Sequence, residues 1–127
     1  MTDEQILRLA ALRRVKTAAG AMRFNAAIGQ IIGGDASQDS SINRSATLQR
    51  LLSLYNQMRA AKLYGQEDKF MRAKHEMNDA VTKYSQKSPG GADRIRDIVA
   101  KLSFADEEAE RKKAIEAKNK KDSNPSR

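Results

Sequence analysis

The side chains best suited to catalysis are few in this sequence and lie far apart along it. His75 is the only histidine and there is no cysteine, so the chain can form neither a thiolate nucleophile nor a Cys-based zinc site. The adjacent carboxylates of Glu67 and Asp68 point in different directions on a helix, as do those of Glu107 and Glu108, so neither pair is placed for acid–base catalysis. We therefore expect a protein that is not an enzyme and that binds no metal or cofactor.

Two stretches come close to known ion-binding loops but lack a required residue. Residues 29–36, GQIIGGDA, carry the two glycines of a phosphate-binding loop, yet Asp35 stands where lysine is needed. Residues 35–41 begin like a calcium loop, but Ser40 replaces the glycine and Ala46 replaces the bidentate glutamate. The sequence predicts a helix end followed by a polar loop, and neither a phosphate site nor a calcium site.

The chain is basic, with a net charge of +8, which favours an anionic partner such as nucleic acid or an acidic membrane surface. The excess is spread thinly, and its densest part is residues 111–121, with six basic residues and one acidic residue. The candidate phosphate contacts are Arg111, Lys112, Lys113, Lys118, Lys120 and Lys121. The alternative interpretation is that this run stays solvated and complements the dipole at a helix C-terminus.

The N-terminal part of the chain predicts one long helix over residues 3–32. Thr2 and Gln5 form a capping-box start, and the glycines at 33–34 end the helix. Gly20 lies in its interior, where glycine costs about 1 kcal/mol relative to alanine. A helix divided or bent at Gly20 is therefore the alternative to a continuous one.

Two apolar stripes at helical spacing follow a loop that offers Ser41, Asn43 and Ser45 as N-caps. The first stripe consists of Leu48, Leu51, Leu52, Tyr55 and Met58, and the second of Phe70, Ala73, Met77, Ala80, Val81 and Tyr84. The link between them, around Gly65, is short, which predicts an antiparallel αα-hairpin. His75 falls opposite the second stripe, where we expect an exposed side chain without a catalytic role.

A second break is predicted over residues 88–91, SPGG, before a short helix. The apolar face of this helix consists of Ile95, Ile98, Val99 and Leu102. Ser103 and Asp106 give a capping signature for a last helix, which has few apolar residues and several acidic–basic pairs four residues apart, so we expect it to be solvated. The chain then divides into a helical domain, residues 1–104, and a charged C-terminal helix with a frayed tail, residues 105–127.

The first helix has no broad polar face. One bulky apolar face consists of Phe24, Ile28, Ile31 and Ile32, and small residues recur on a second face, where the candidate interface consists of Val15, Ala19, Met22, Ala26 and Gly29. Arg23, Asn25 and Gln30 interrupt the apolar run and argue against a membrane span. We expect protein to cover both faces. The cover on the small-residue face is either the Ile95 helix of the same chain or a second copy of the chain across a two-fold axis.

Together these patterns predict an all-α fold, a small helical bundle with a central αα-hairpin, a long N-terminal helix and a charged C-terminal helix. We expect a cytoplasmic protein, because cysteine is absent and Met1 is not followed by a secretory signal. The leading hypothesis is a small basic accessory protein that self-associates and binds nucleic acid through phosphate contacts of its tail. The alternative is a protein-interaction or structural-assembly subunit that docks through its apolar N-terminal helix. A membrane-surface or pore-associated component comes third.

Overall fold

The structure, a computed structural model, describes residue 2, residues 14–34 and residues 43–123, without the side chains of residues 14–17 and 120–123. Across these residues the chain forms five α-helices, which are α1 (Arg14–Gly33), α2 (Arg44–Tyr64), α3 (Glu67–Ser85), α4 (Pro89–Ala100) and α5 (Ala105–Ser123). The predicted all-α bundle is confirmed. The predicted capping box, helical residues 3–13 and the loop of residues 35–42 lie outside the described residues.

The helices α2 and α3 form the predicted hairpin. The side chain of Asn43, one of the three predicted caps, accepts a 2.9 Å hydrogen bond from the backbone N–H of Ala46 at the start of α2. Helix α2 ends at Gly65, whose φ of 68° is in the left-handed region that glycine tolerates. Gly65 and Gln66 are the whole connection to α3, so the two helices fold back on each other, and their contact is the most extensive in the fold.

The predicted break over residues 88–91 is wrong at its C-terminal end, because α4 already begins at Pro89. Proline has no N–H to lose in the first helical turn, and its fixed φ suits that position. The backbone N–H of Ala92 donates to the carbonyl of Ser88 at 2.9 Å, which closes the first turn around Gly90 and Gly91. Two glycines therefore lie inside a helix that a proline starts.

A continuous aromatic cluster ties the helices together at the centre of the core. The rings of Phe24 and Tyr55 stack with centroids 4.5 Å apart. Tyr55 then lies 5.4 Å from Phe104, and Phe104 meets Phe70 edge-on at 5.6 Å. Such ring pairs add about 0.5–1.5 kcal/mol each beyond the area they bury, so this cluster fixes α1, the hairpin and the entry to α5 relative to one another.

Helix α1 is continuous through Gly20, so the alternative of a division there is wrong. A Cβ at Gly20 would lie 2.9 Å from the Tyr55 hydroxyl oxygen. Tyr55 is buried, at 3% exposure, and its ring is held between Phe24 and Phe104, so it has little room to move away. The absence of a side chain at Gly20 therefore allows α1 to approach Tyr55 of α2 closely.

Candidate interaction surface

In the structure one of the two predicted faces of α1 is buried and the other is largely exposed. The bulky face is core, with Phe24, Ile28, Ile31 and Ile32 all at or below 4% exposure. On the opposite face Ala19, Met22 and Ala26 are exposed and Gly29 is half-buried, with Met22 at 72% exposure. The interpretation in which the chain's own helices cover both faces is therefore wrong for the residues that the structure describes. The side chain of Val15 lies outside them.

The outward face of α1 is chemically unusual for a surface. A helix on the outside of a globular protein normally turns charged residues to the solvent, yet Arg23 is the only charged residue between residues 17 and 34. Around Met22 the exposed positions include the small residues Ala19 and Ala26, with the uncharged Asn25 one turn further on. The helix is thus apolar on two faces, and the fold covers one of them.

A second uncharged surface, which the sequence analysis missed, lies on the outward side of α2. Its exposed or half-exposed residues are Ser45, Ala46, Gln49, Ser53, Asn56, Gln57, Ala60 and Tyr64. We name its centre the amide face and define it as Gln49, Ser53, Asn56, Gln57 and Ala60. The signal in the sequence was a low charge, since Arg50 is the one exposed charged residue of this 21-residue helix in a chain that is 31% charged.

Three of the four basic residues of α2 lie away from the amide face, and the fourth, Arg50, is exposed beside it, three residues before Ser53. Arg59 is buried and Lys62 is half-buried, whereas Arg50 lines a groove shared with the α3 residues Asp79 and Lys83. Arg44, at the start of the helix, is half-buried. The amide face therefore carries hydrogen-bonding groups and no charge, and the amide of Gln57 donates to the Ser53 hydroxyl at 3.3 Å within it.

The residues of the predicted basic tail have different environments in the fold. Arg111, the first of them, packs against the hairpin, whereas Lys112 and Lys113 are exposed. The guanidinium group of Arg111 lies where a Cβ at Gly65 would have to be, and its Nη1 donates a long, 3.5 Å hydrogen bond to the carbonyl oxygen of Leu63. A cation in this position is stabilised by the helix dipole and the free carbonyl groups at the C-terminal end of α2. Arg111 thus helps to attach α5 to the hairpin.

The rest of the described tail forms no basic face. Lys112 and Lys113 are exposed, but Glu116 falls between them on the helix surface, at positions four and three residues further on. Lys118 is half-buried. The side chains of Lys120 and Lys121 lie outside the described residues. The excess charge in the sequence of this tail is therefore not matched by an exposed basic surface up to residue 119.

Helix α5 is packed on the bundle, so the prediction of a solvated helix is wrong for its first half. Glu107, Glu110 and Ala114 are 4%, 2% and 1% exposed. The Glu107 carboxylate lies 3.7 Å from Nε of the buried Arg59 on α2. Burial raises the pKa of Glu107, although Arg59 acts in the opposite direction. The inward positions are filled by acids and alanine, which is why no apolar stripe marked this face in the sequence.

Lys62 forms a third link between the hairpin and α5, after Arg111 and the pair of Arg59 with Glu107. Its ammonium group lies 3.2 Å from Glu67 on α3 and 3.1 Å from Glu108 on α5, and 4.1 Å from the centre of the Phe70 ring. Burial acts to lower the pKa of Lys62, but the hydrogen bonds with Glu108 and Glu67 together raise it. Charge on this side of the molecule is therefore used to hold the fold together.

His75 is exposed on α3, as predicted, and its Nε2 lies 3.5 Å from a carboxylate oxygen of Asp79 one turn away. Within residues 14–34 and 43–123, no group of three or more acidic or histidine side chains could hold a metal ion. None of the described helices is both long enough and apolar enough to cross a membrane.

Comparison with known proteins leaves these surfaces without a precedent. No family model matches the chain, and searches of the curated proteins and of the solved structures found no match either. The geometry of the described residues alone therefore bears on the function.

Proposed function

We propose that this protein is a non-enzymatic, helical interaction subunit that docks on a protein partner through the outward face of α1. The observation that carries the proposal is the exposed surface of Ala19, Met22 and Ala26, directly opposite the core face of the same helix. Depletion of charge at the centre of a patch distinguishes protein interfaces from ordinary protein surface. Arg23 at the margin of this face is its one charge.

The chemistry of the face indicates the kind of partner. A phosphate backbone is bound through several cationic contacts, which this face does not offer. Small side chains such as Ala19 and Ala26 allow the backbone of another helix to approach closely, and the long, flexible side chain of Met22 adapts to the surface it meets. The best fit is a helix that presents apolar residues of its own.

The proposal can be tested with a photo-cross-linking amino acid placed at position 22, in the cells that make this protein. The matched control is position 71, because Met71 is also an exposed methionine, at 52% exposure, but lies on α3. We expect a covalent adduct with one protein, identified by mass spectrometry, from position 22 only, and its loss when Ala26→Glu is added. Equal adducts from both positions, or none from position 22, would contradict the proposal.

Nucleic-acid binding by the basic tail is the second candidate function. It is favoured by the net charge of +8 and by the exposure of Lys112 and Lys113. If these lysines contact phosphates, duplex binding weakens steeply with salt, and Lys112→Gln with Lys113→Gln lowers the salt slope by about 1 to 2. An affinity that does not change with salt concentration would exclude this function.

A further inference from the structure

We infer that a cleft between α3 and α4 binds a small amphipathic carboxylate, a molecule with one negative charge and an apolar chain. The cleft has a volume of about 360 Å³, which lies in the range of small-molecule sites. It lies on other helices than the docking face of α1. The inference therefore goes beyond the proposed function, and either can fail without the other.

Three parts of the chain form the walls of this cleft. Helix α3 lines it from Phe70 to Thr82, through residues on one side of the helix. Helix α4 lines the other side with residues from Arg96 to Ala100. The segment after α4 closes one end, where the ring of Phe104 meets that of Phe70 edge-on at 5.6 Å. The cleft is thus bounded on two sides and at one end.

The inner part of the cleft is apolar. Val99 and Leu102 pack against the core but are only half-buried, so part of their apolar surface stays open to the cleft. An apolar chain that covers this surface removes it from water, which favours binding. The apolar lining residues are Met58, Phe70, Val81, Val99, Leu102 and Phe104.

The rim of the cleft is basic. Lys74 on α3 and Arg96 on α4 are exposed and line it, and none of its described lining residues is acidic. Lys74 forms no ion pair with a side chain that the structure describes. Arg96 pairs with Asp93 through Nη1 at 3.4 Å, which leaves other N–H groups of its guanidinium to donate to a ligand. The two cations and Asp93 sum to one positive charge, which matches a carboxylate better than a doubly charged phosphate.

The polar groups of the rim can hold both oxygens of a carboxylate. Asn78 lines the cleft one turn after Lys74 on the same side of α3, and its amide donates hydrogen bonds as the ammonium group does. Arg96 offers charged donors from the facing helix. An apolar space with a few polar groups at its edge is the usual design of a small-molecule site. The carboxylate would thus lie at the rim, with its chain over Val99 and Leu102.

Titration of the isotope-labelled full chain with octanoate, followed by NMR, tests this inference. We expect saturable shifts of the backbone amides around the cleft, with a dissociation constant of about 0.1–1 mM. Octanol has the same chain without the charge and should bind about threefold or more weakly. Acetate has the charge without the chain and should not saturate the protein.

Substitutions at the rim separate the two parts of the site. Lys74→Gln with Arg96→Gln should weaken octanoate binding about tenfold and leave octanol binding nearly unchanged. The matched control is Lys69→Gln with Arg94→Gln, which removes the same charge from exposed positions of the same two helices outside the cleft and should bind octanoate like the wild type. Ala100→Trp places a large ring at the edge of the cleft and should weaken both ligands. Circular dichroism verifies that the variants remain helical.

The inference would be overturned by any of three results. Octanoate that gives no saturable shifts up to about 10 mM shows that the cleft does not bind such a ligand. Equal affinities for octanoate and octanol, or equal losses in the two double variants, remove the role of Lys74 and Arg96. Shifts concentrated around Met22 place the binding on α1 instead. The proposed function is judged separately by cross-linking from position 22, which is expected to give its adduct with or without the substitutions at the rim.

Discussion

The two arms of the hairpin, α2 and α3, are nearly equal in length, at 21 and 19 residues, and they bury similar apolar stripes. Their outward sides differ. Helix α3 turns charged residues of both signs to the solvent, among them Lys69, Arg72, Lys74, Asp79 and Lys83. Helix α2 exposes the amide face and one charged residue, Arg50, beside it. Helix α1 resembles α2 in this respect, and α5 resembles α3.

The difference between the outward sides of α2 and α3 shows which positions the fold constrains and which it does not. Both arms need their inward stripes, because each builds the same core. Nothing in the fold requires an outward face to be uncharged, and charged residues would serve solubility better at those positions. The low charge on the outward face of α1 is therefore the feature that supports the proposed docking on a protein partner.

The largest expected effect comes from the two faces of α1. Ile28 is fully buried, at 0% exposure, and Met22 is 72% exposed. We expect Ile28→Ala to lower the free energy of unfolding by about 2–5 kcal/mol through the cavity it leaves. In contrast, Met22→Ala should change it by less than about 0.5 kcal/mol. Urea denaturation of dilute protein measures both, and similar losses would show that Met22 is part of the core.

Two of the three glycines of the same helix, Gly20 and Gly29, should respond differently to substitution by alanine. At Gly20 a Cβ would meet the Tyr55 hydroxyl at 2.9 Å, whereas at Gly29 nothing lies within 4 Å. Gly29→Ala should raise the free energy of unfolding by about 0.4–1 kcal/mol through helix propensity. The free energy of unfolding of the Gly20→Ala variant should be about 1–3 kcal/mol lower than that of the Gly29→Ala variant, because the tightly packed Tyr55 must shift. Thermal unfolding of the two variants side by side measures this gap, and equal stability would refute the close packing at Gly20.

A smaller effect distinguishes the folded part of the basic tail from its exposed part. Arg111 bonds the Leu63 carbonyl and is half-buried, whereas Lys113 is exposed. We expect Arg111→Gln to cost about 0.5–1.5 kcal/mol of unfolding free energy and Lys113→Gln less than about 0.5 kcal/mol. If both changes were neutral in urea denaturation, Arg111 would belong with the solvated tail.

The smallest expected effect is the pH dependence that Glu107 contributes. Its pKa is raised in the fold by burial, so the folded chain holds this proton more tightly than the unfolded chain does. The stability due to Glu107 therefore rises as the pH falls through the raised pKa toward the ordinary value of 4.5 and is lost as the pH rises again. The stability of the wild type relative to Glu107→Gln should increase over that window. A constant difference, measured by urea denaturation at several pH values, would contradict the burial of an acidic Glu107.

The apolar patterns predicted most of the fold. The stripes containing Leu51 and Met77, the end of α2 at Gly65 and the bulky face of α1 could be read directly, because burial of apolar residues at helical spacing leaves a periodic signal. The start of α4 was placed too late, since Gly90 and Gly91 obscured the helix that Pro89 begins.

The packing of α5 and the function of Gly20 could not be predicted from the sequence. Helix α5 is held by Glu107 against Arg59 and by Arg111 across Gly65. Because these residues are charged, their sequence pattern predicts a solvent-exposed helix, although Glu107 is buried in the fold. Gly20 looks like a helix breaker until the position of Tyr55 is known. Both depend on residues far apart in the chain, which local propensity does not report.

Oxidation of Met22 and Met71, the two exposed methionines among the described residues, tests most directly whether the outward side of α1 is an interface. In dilute purified protein, brief peroxide treatment should convert Met22 and Met71 to sulfoxides at comparable rates, since their exposures are 72% and 52%. In the cells that make the protein, quantified by mass spectrometry, Met22 should be oxidised several-fold less than Met71. The same ratio of the two sulfoxides in cells and in dilute solution would contradict the account, because it would show that the outward face of α1 stays in water.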